Sequence, residues 1–203
     1  MGKKILLLSI TLISIFYSTD AQSVRTIKNE LQQSIEKHET ELIKTSDAIW
    51  EAAETALLEF KSSKILIDHA KRNGFDVEEG VAGIKTAFTA SYGSGRPIIG
   101  ILGEFDANAG ISQKRKPVKE ARIPGGAGHG CGHNLFGTAS LGAAIAIKEQ
   151  IEKGNIQGTV IFYGTPAEET IFAKVWMVRE GLFDKLDVCM DWHPSDNIEA
   201  STQ

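Results

Sequence analysis

The sequence has little that would direct the protein to nucleic acid. Its 203 residues carry a formal net charge of −4. The densest basic stretch, QKRKPVK from Gln113, favours a solvated loop over a site for an anionic partner. There is no internal repeat, and 42% hydrophobic with 24% charged residues is typical of a globular domain. The composition therefore excludes a nucleic-acid-binding module, a repeat array and a disordered chain.

A membrane anchor is equally poorly supported. The apolar run ILLLSITLISIFYS, which follows the basic head MGKK, is too short for a comfortable membrane span. No cysteine follows it, which disfavours a lipid anchor. Small residues at Thr19 and Ala21 complete the pattern of a secretory signal. The sequence predicts a signal peptide at residues 1–21 and an exported protein, periplasmic or secreted, with no stable membrane span after cleavage.

Cysteine is scarce, with two residues, Cys131 and Cys189. An even number of cysteines in an exported protein permits a disulfide, and this alternative competes with a metal-binding role for Cys131. Cys189 lies in the apolar run DVCMDW, where a buried core thiol is the more common outcome.

The patterns of apolar residues predict an α/β fold. Helical spacing runs from Val24 to Phe60 with a predicted break at residues 45–47, and further helices are predicted at 62–73, 135–153 and 173–180. Short β-branched or aromatic runs bounded by Gly or Pro predict five strands: FDVEEGV, KTAFTASY, PIIGILGEF, GTVIFYG and DVCMDW. Strands that alternate with helices indicate a layered sheet, and the unbroken apolar runs indicate strands covered on both faces.

Polar candidates follow three of these strands at the point where each ends. Asp106 follows the third strand, Glu168 and Glu169 follow the fourth, and His193 follows the fifth. Ligands in open α/β sheets bind just beyond the carboxyl ends of strands. We expect these side chains to converge if the strands are parallel neighbours.

The motif GHGCGHN places Cys131 and His133 two residues apart, so that in an extended loop both side chains point the same way. Thiolate and imidazole are good ligands for zinc-like ions, and the flanking glycines tolerate the backbone angles that would bring both onto one ion. Taken alone, however, the motif favours a turn or a disulfide over a metal site.

Glu168 and Glu169 place two adjacent carboxylates directly after a buried strand. Their desolvation costs free energy, which indicates that they have a function there. One could bind a metal while the other takes a proton from a water whose pKa the metal lowers to about 7. The alternative is a solvated helix N-terminus, where acidic residues are favourable. His193 alone is more often structural, but Cys131, His133, the Glu pair and His193 together supply the donors of a catalytic metal site.

Several motifs in order and spacing carry a resemblance to a known family over roughly residues 45 to 195. They are IWEAAETALLEFKSS, GFDVEEGVAGIKTAF, PIIGILGEFDA, GHGCGHNLFGTASLGAA, GTPAEE and MVREGLFD…WHP. The sequence resembles the metal-dependent amidohydrolases and carboxypeptidases. The most similar subgroup is the aminobenzoyl-glutamate utilisation protein B type, with hydrolases of indole-acetate amino acid conjugates as relatives.

The resemblance implies that residues 22–203 are the N-terminal part of a zinc-exopeptidase-like catalytic domain, a three-layer sheet with helices on both faces. It implies two divalent metals, zinc or manganese with cobalt as a further option, and an inserted lid domain through which the protein forms a homodimer. Position by position, Glu168 matches the general base, and Asp106, predicted with it as a catalytic residue, matches the carboxylate that lies behind the metal ligands after the third strand. His129 matches no ligand. The residues that match metal ligands are Cys131, His133, Glu169 and His193.

The sequence departs from the family pattern at three points. DANAG, from Asp106, stands where the family has DALPG, and TIFA, from Thr170, replaces a Gly-rich stretch. The chain also stops soon after His193, before the lid and a final ligand His, so we expect a partial sequence or a truncated product. The implied reaction releases an amino acid from an N-acyl or N-aroyl amide such as aminobenzoyl-glutamate or a dipeptide. The alternative is a non-catalytic remnant that binds metal weakly or not at all.

Overall fold

The structure, a computed structural model, describes residues 2–197, with side chains described from Val24 onward. The predicted signal peptide at residues 1–21 lies outside the residues with described side chains, and its cleavage stays a prediction. Within the part of the chain that the structure describes, no helix has the length and apolar character needed to cross a membrane.

All five predicted strands are confirmed, and they form one mixed sheet in the order β1-β2-β4-β3-β5. β3 is parallel to both of its neighbours, β4 and β5, whereas β2 is antiparallel to β4 and to β1. The strands are β1 (Asp76–Glu79), β2 (Phe88–Ser94), β3 (Ile98–Glu104), β4 (Gly158–Thr165) and β5 (Val188–Met190).

The helices predicted at 62–73, 135–153 and 173–180 are confirmed to within a few residues. The described residues form α1 (Gly2–Ala52), α2 (Phe60–Arg72), α3 (His133–Glu152), α4 (Glu168–Ile171) and α5 (Ala173–Arg179), with a 3-10 turn at Val81–Gly83.

The predicted helix break at residues 45–47 is wrong, because α1 continues through it. Thr45 and Ser46 are buried and make contacts across the helix interface instead of capping a new helix. Thr45 Oγ1 lies 2.9 Å from His69 Nδ1 of α2, and Asn134 of α3 donates to Ser46 Oγ over 3.0 Å. These polar residues therefore help to dock α1 against α2 and α3.

Apolar side chains of β4 alternate between two clusters, as expected for a strand covered on both faces. Val160 and Phe162 pack with residues of α1, α2 and α3, whereas Ile161 and Tyr163 pack with Met177 of α5. The α/β class with helices on both faces of the sheet is confirmed. Burial on both faces leaves the carboxyl edge of the parallel strands as the natural place for polar groups.

Candidate metal centre

The polar residues that follow β3, β4 and β5 meet at one edge of the sheet. β3 lies between β4 and β5 and runs parallel to both, so the three strands end at the same side. Asp106, Glu168 and His193 come within three residues of those strand ends. The predicted convergence is confirmed. It requires the three strands to be parallel neighbours, which the sequence left as a condition and the structure shows.

The GHGCGHN loop is shaped by one side chain and one glycine. Asn108 Oδ1 accepts hydrogen bonds from the backbone N–H groups of Gly130 and Cys131, over 3.1 and 3.2 Å. Gly132 has a φ of +77°, and a Cβ there would lie 3.0 Å from Pro194 Cγ. Both the left-handed backbone and the close approach of the His193 segment therefore favour glycine at this position.

His133, the first residue of α3, lies at the centre of the site and is fully buried. Its Nδ1 is 3.0 Å from Asp106 Oδ1. Its Nε2 is 2.9 Å from Glu104 Oε2, 3.8 Å from Glu169 Oε1 and 3.3 Å from His193 Nε2. One ring nitrogen is thus fixed by a carboxylate, and the other faces a group of possible ligands.

Carboxylates dominate the electrostatics of this edge. Burial opposes protonation of His133, but the hydrogen bond and charge of Asp106 and the charges of Glu169 and Glu168 raise its pKa above the ordinary value. A hydrogen bond to Glu169, together with burial, raises the pKa of the Cys131 thiol to about 11. Excess negative charge of this kind favours a bound cation.

Asp106 supports the site from behind and does not face it. Its side chain is fully buried; Oδ1 lies against His133, and Oδ2 accepts the backbone N–H of Glu169 over 2.9 Å. A carboxylate on the remote nitrogen of a histidine fixes the tautomer and orientation of a metal-binding imidazole. The geometry therefore gives Asp106, predicted with Glu168 as a catalytic residue, the part of a positioning residue.

The donor set fits a divalent cation. Cys131, His133 and His193 offer ligand atoms within 4.8 Å of one another, and Glu104, His133 and Glu168 do the same. The 3.3 Å between the two imidazole nitrogens matches the roughly 3.3 Å expected for two ligands at about 2.0 Å from a tetrahedral ion. Glu169 Oε1 is buried without a hydrogen-bond partner among the described residues, and a cation would satisfy it.

Sequence reasoning missed Glu104 and Lys174. Glu104, the last residue of β3, is 4% exposed; its Oε1 contacts Lys174 Nζ and its Oε2 faces His133. Two features of the sequence could have identified Glu104. It is a carboxylate at the end of an apolar strand, and it stands two residues before Asp106, so that both side chains lie on the same side of the chain. Lys174 lies beyond the TIFA departure and gave no sequence signal of its own.

The disulfide alternative is wrong, because both thiols are free. Cys189 is also exposed, contrary to the expected buried thiol. β5 lies at the edge of the sheet and pairs with β3 alone, and all three of its residues are exposed. The apolar pattern of this strand did not translate into burial, because an edge strand has a neighbouring strand on one side only.

His129 belongs to neither group of possible ligands. Its Nε2 lies 3.1 Å from the carbonyl oxygen of Ile49, and burial lowers its pKa to about 4, so the ring is neutral at physiological pH. The structure therefore agrees with the sequence analysis, in which His129 matched no ligand. Its contact ties the GHGCGHN loop to α1.

Comparisons with known proteins identify the family. Residues 101–201 match the model of peptidase family M20/M25/M40, a range that holds all six predicted site residues. The chain is 44% identical over 165 residues to one of the subunits of p-aminobenzoyl-glutamate hydrolase from Escherichia coli K12, and the match covers 81% of this chain and 34% of that protein. It is 30% identical over 149 residues to IAA-amino acid hydrolase ILR1-like 5 of Arabidopsis thaliana, with 73% and 33% covered.

Solved structures share the fold. The YXEP protein of Bacillus subtilis, described as a dinuclear metal binding peptidase from the M20 family, superimposes with a TM-score of 0.65 at 22% identity, over 76% of this chain and 42% of that one. The chain spans about a third of the length of the two curated relatives named above. On the family match and the 44% identity together, the chain belongs to peptidase family M20/M25/M40.

Proposed function

We propose that the protein hydrolyses an amide bond and releases an amino acid from an N-acyl or N-aroyl conjugate, with divalent metal at the site described above. The observation that carries the proposal is the convergence of Cys131, His133 and His193 with the Glu pair at one sheet edge. The named relatives, a hydrolase of p-aminobenzoyl-glutamate and one of IAA-amino acid conjugates, support this reaction class.

Cys131, His133, Glu169 and His193 would hold the metal, which we propose to be two ions of zinc or manganese. When bound, a divalent ion supplies a Lewis acid that polarises the amide carbonyl and lowers the pKa of an attacking water to about 7. Because the pKa of the metal-free Cys131 thiol is about 11, this side chain must lose a proton on binding.

Glu168 is the proposed proton carrier. It begins α4, and its carboxylate lies within 4.8 Å of the ligand atoms of His133 and Glu104. From this position it can take a proton from the attacking water and return it to the leaving amine, and a positioned acid–base group contributes about 10²–10⁴-fold to a rate. Asp106 accepts the backbone N–H of Glu169, the residue after Glu168, and so holds that part of the chain in place.

An apolar pocket of about 260 Å³ suits the acyl or aroyl part of such a substrate. It is lined by Leu57, Phe60, Ile84 and Trp176, and by Ile171, three residues after Glu168 in α4. Pockets of this kind bind ligands mainly by burying apolar surface.

We also propose that the protein is exported and acts as a homodimer. The signal-like N-terminus supports export, and the family resemblance supports the homodimer.

Removal of divalent metal is expected to abolish hydrolysis in the natural-length protein. After chelation and desalting, hydrolysis should fall to background. The measurement is the release of glutamate from aminobenzoyl-glutamate, or of the amino acid from a panel of N-acyl and N-aroyl conjugates. Addition of zinc or manganese should restore it, because the water needs a Lewis acid at neutral pH. Full turnover after complete metal removal, or no turnover of any conjugate with metal present, would contradict the proposal.

A further inference from the structure

A further buried carboxylate, besides Glu104 and Asp106, lies behind the Glu pair and outside the range that matches the family model. Glu59, the residue before α2, has no exposed surface. Its Oε1 accepts the backbone N–H of Ala167 over 3.0 Å, and its Oε2 accepts the hydroxyl of Thr86 over 3.2 Å. Burial of a carboxylate costs free energy, so a fully buried Glu59 indicates a structural or functional role.

Ala167 holds a backbone conformation that L-residues disfavour. It has a φ of 57° and a ψ of 34°, in the left-handed region, and is fully buried. Such a conformation persists only where the surroundings fix it. The hydrogen bond from Ala167 to Glu59 supplies a fixed partner at the point where α4 begins, and α4 begins with Glu168.

Two buried carboxylates thus hold the amides on either side of Glu168. Glu59 accepts the N–H of Ala167, and Asp106 accepts the N–H of Glu169 over 2.9 Å. Glu59 is attached to α2 and Asp106 follows β3, so the two supports come from separate elements. Because the backbone N–H groups of both neighbours of Glu168 are held, these two residues restrict the position of the Glu168 Cα.

We propose that Glu59 is a positioning residue that fixes Glu168, and with it Glu169, through the backbone of Ala167. The proposal rests on the proposed function for its catalytic consequence. A displacement of about 1 Å at a reacting group can cost about 10²-fold in rate. Loss of the Glu59 acceptor should therefore act mainly on kcat and leave substrate binding largely intact.

The test compares Glu59→Leu, Glu59→Gln and the control Ser63→Ala in the natural-length protein. Leu removes the acceptor, whereas Gln keeps an oxygen for the Ala167 amide. Ser63 is also buried and donates to the carbonyl oxygen of Thr86 over 2.8 Å, so its loss loosens the same region without touching Ala167. We expect kcat to fall about 10²-fold in Glu59→Leu with KM nearly unchanged. Glu59→Gln and Ser63→Ala should stay within a few-fold of the original enzyme.

Two readouts are independent of hydrolysis. Hydrogen exchange of the Ala167 amide should be slow in the original protein and in Glu59→Gln, and fast in Glu59→Leu. The visible absorption of the cobalt-loaded protein should change in Glu59→Leu, because Glu169 shifts, and should be unaltered in Glu59→Gln. If no conjugate is hydrolysed by the original protein, the proposed function is wrong, while these two measurements still decide the role of Glu59.

Three results would overturn the role of Glu59. They are equal losses of kcat in Glu59→Leu and Glu59→Gln, a matching loss in Ser63→Ala, and an Ala167 amide that stays protected in Glu59→Leu. If Glu59→Leu does not fold, Glu59→Asp replaces it, because it keeps the charge but withdraws the oxygen by one methylene. The proposal then requires a lower kcat and faster Ala167 exchange in Glu59→Asp than in Glu59→Gln, and the reverse order would refute it.

Discussion

Replacement of Glu168 by Gln is expected to lower kcat for conjugate hydrolysis by about 10²–10⁴-fold, the range supplied by a positioned acid–base group. The amide of Gln has nearly the same shape but cannot accept a proton from water at neutral pH. Metal content should be unchanged, because Cys131, His133, Glu169 and His193 all remain. Steady-state kinetics of the natural-length protein, with metal analysis of the same samples, measures both quantities.

The matched control is Glu180→Gln, which makes the same chemical change at an exposed residue just after α5. It should leave kcat, KM and metal content unchanged. A Glu168→Gln enzyme with normal kcat would show that Glu168 is not the base. A variant that lost its metal would instead show that Glu168 is a ligand, in the group that it forms with Glu104 and His133.

Replacement of Cys131 by Ser is expected to weaken metal binding by at least about 10²-fold. Loss of a residue that merely supports a ligand typically costs 10–100-fold in affinity, and loss of the ligand itself should cost more. Binding should also release about one proton fewer at pH 7, since the pKa of the free Cys131 thiol is about 11 and the metal takes the thiolate. Calorimetric titration with zinc in buffers of different ionisation enthalpy measures affinity and proton release together.

Cys189→Ser is the control for this experiment, because Cys189 is the other free thiol and is exposed on β5. It should change neither the affinity nor the number of protons released. Equal effects of the two substitutions would point to non-specific thiol binding. Unchanged proton release in Cys131→Ser would remove Cys131 from the ligand set.

Most of the fold could be predicted from the sequence, because local patterns determine it. Short stretches of sequence are enough to predict these elements. The unbroken apolar runs indicate the buried strands β3 and β4, and the small residues of α3 indicate a helix packed closely on the sheet. The break at residues 45–47 was mispredicted because Thr45 and Ser46 cap helices in many proteins. Here their partners, His69 and Asn134, lie on other helices, and no local pattern reveals such contacts.

The site was predictable as a set of residue types, but its supports were not. Cys131 and His133 share a motif, and His193 and the Glu pair follow strands, so each left a local signal. Glu59 and Asn108 act on distant backbone amides, and their roles depend on contacts that span 108 and up to 23 residues of sequence. Such roles follow from the packing of α2 against the sheet and from the course of the loop after β3, which appear only in three dimensions.

The ligand assignment is tested most directly by anomalous scattering at the zinc edge from crystals grown with zinc. We expect a peak about 2.3 Å from Cys131 Sγ and about 2.0–2.1 Å from an imidazole nitrogen of His133 or His193, the usual zinc–sulfur and zinc–nitrogen distances. Zinc found only at other residues, or a map without a peak at this edge of the sheet, would contradict the claim that these side chains form a metal centre.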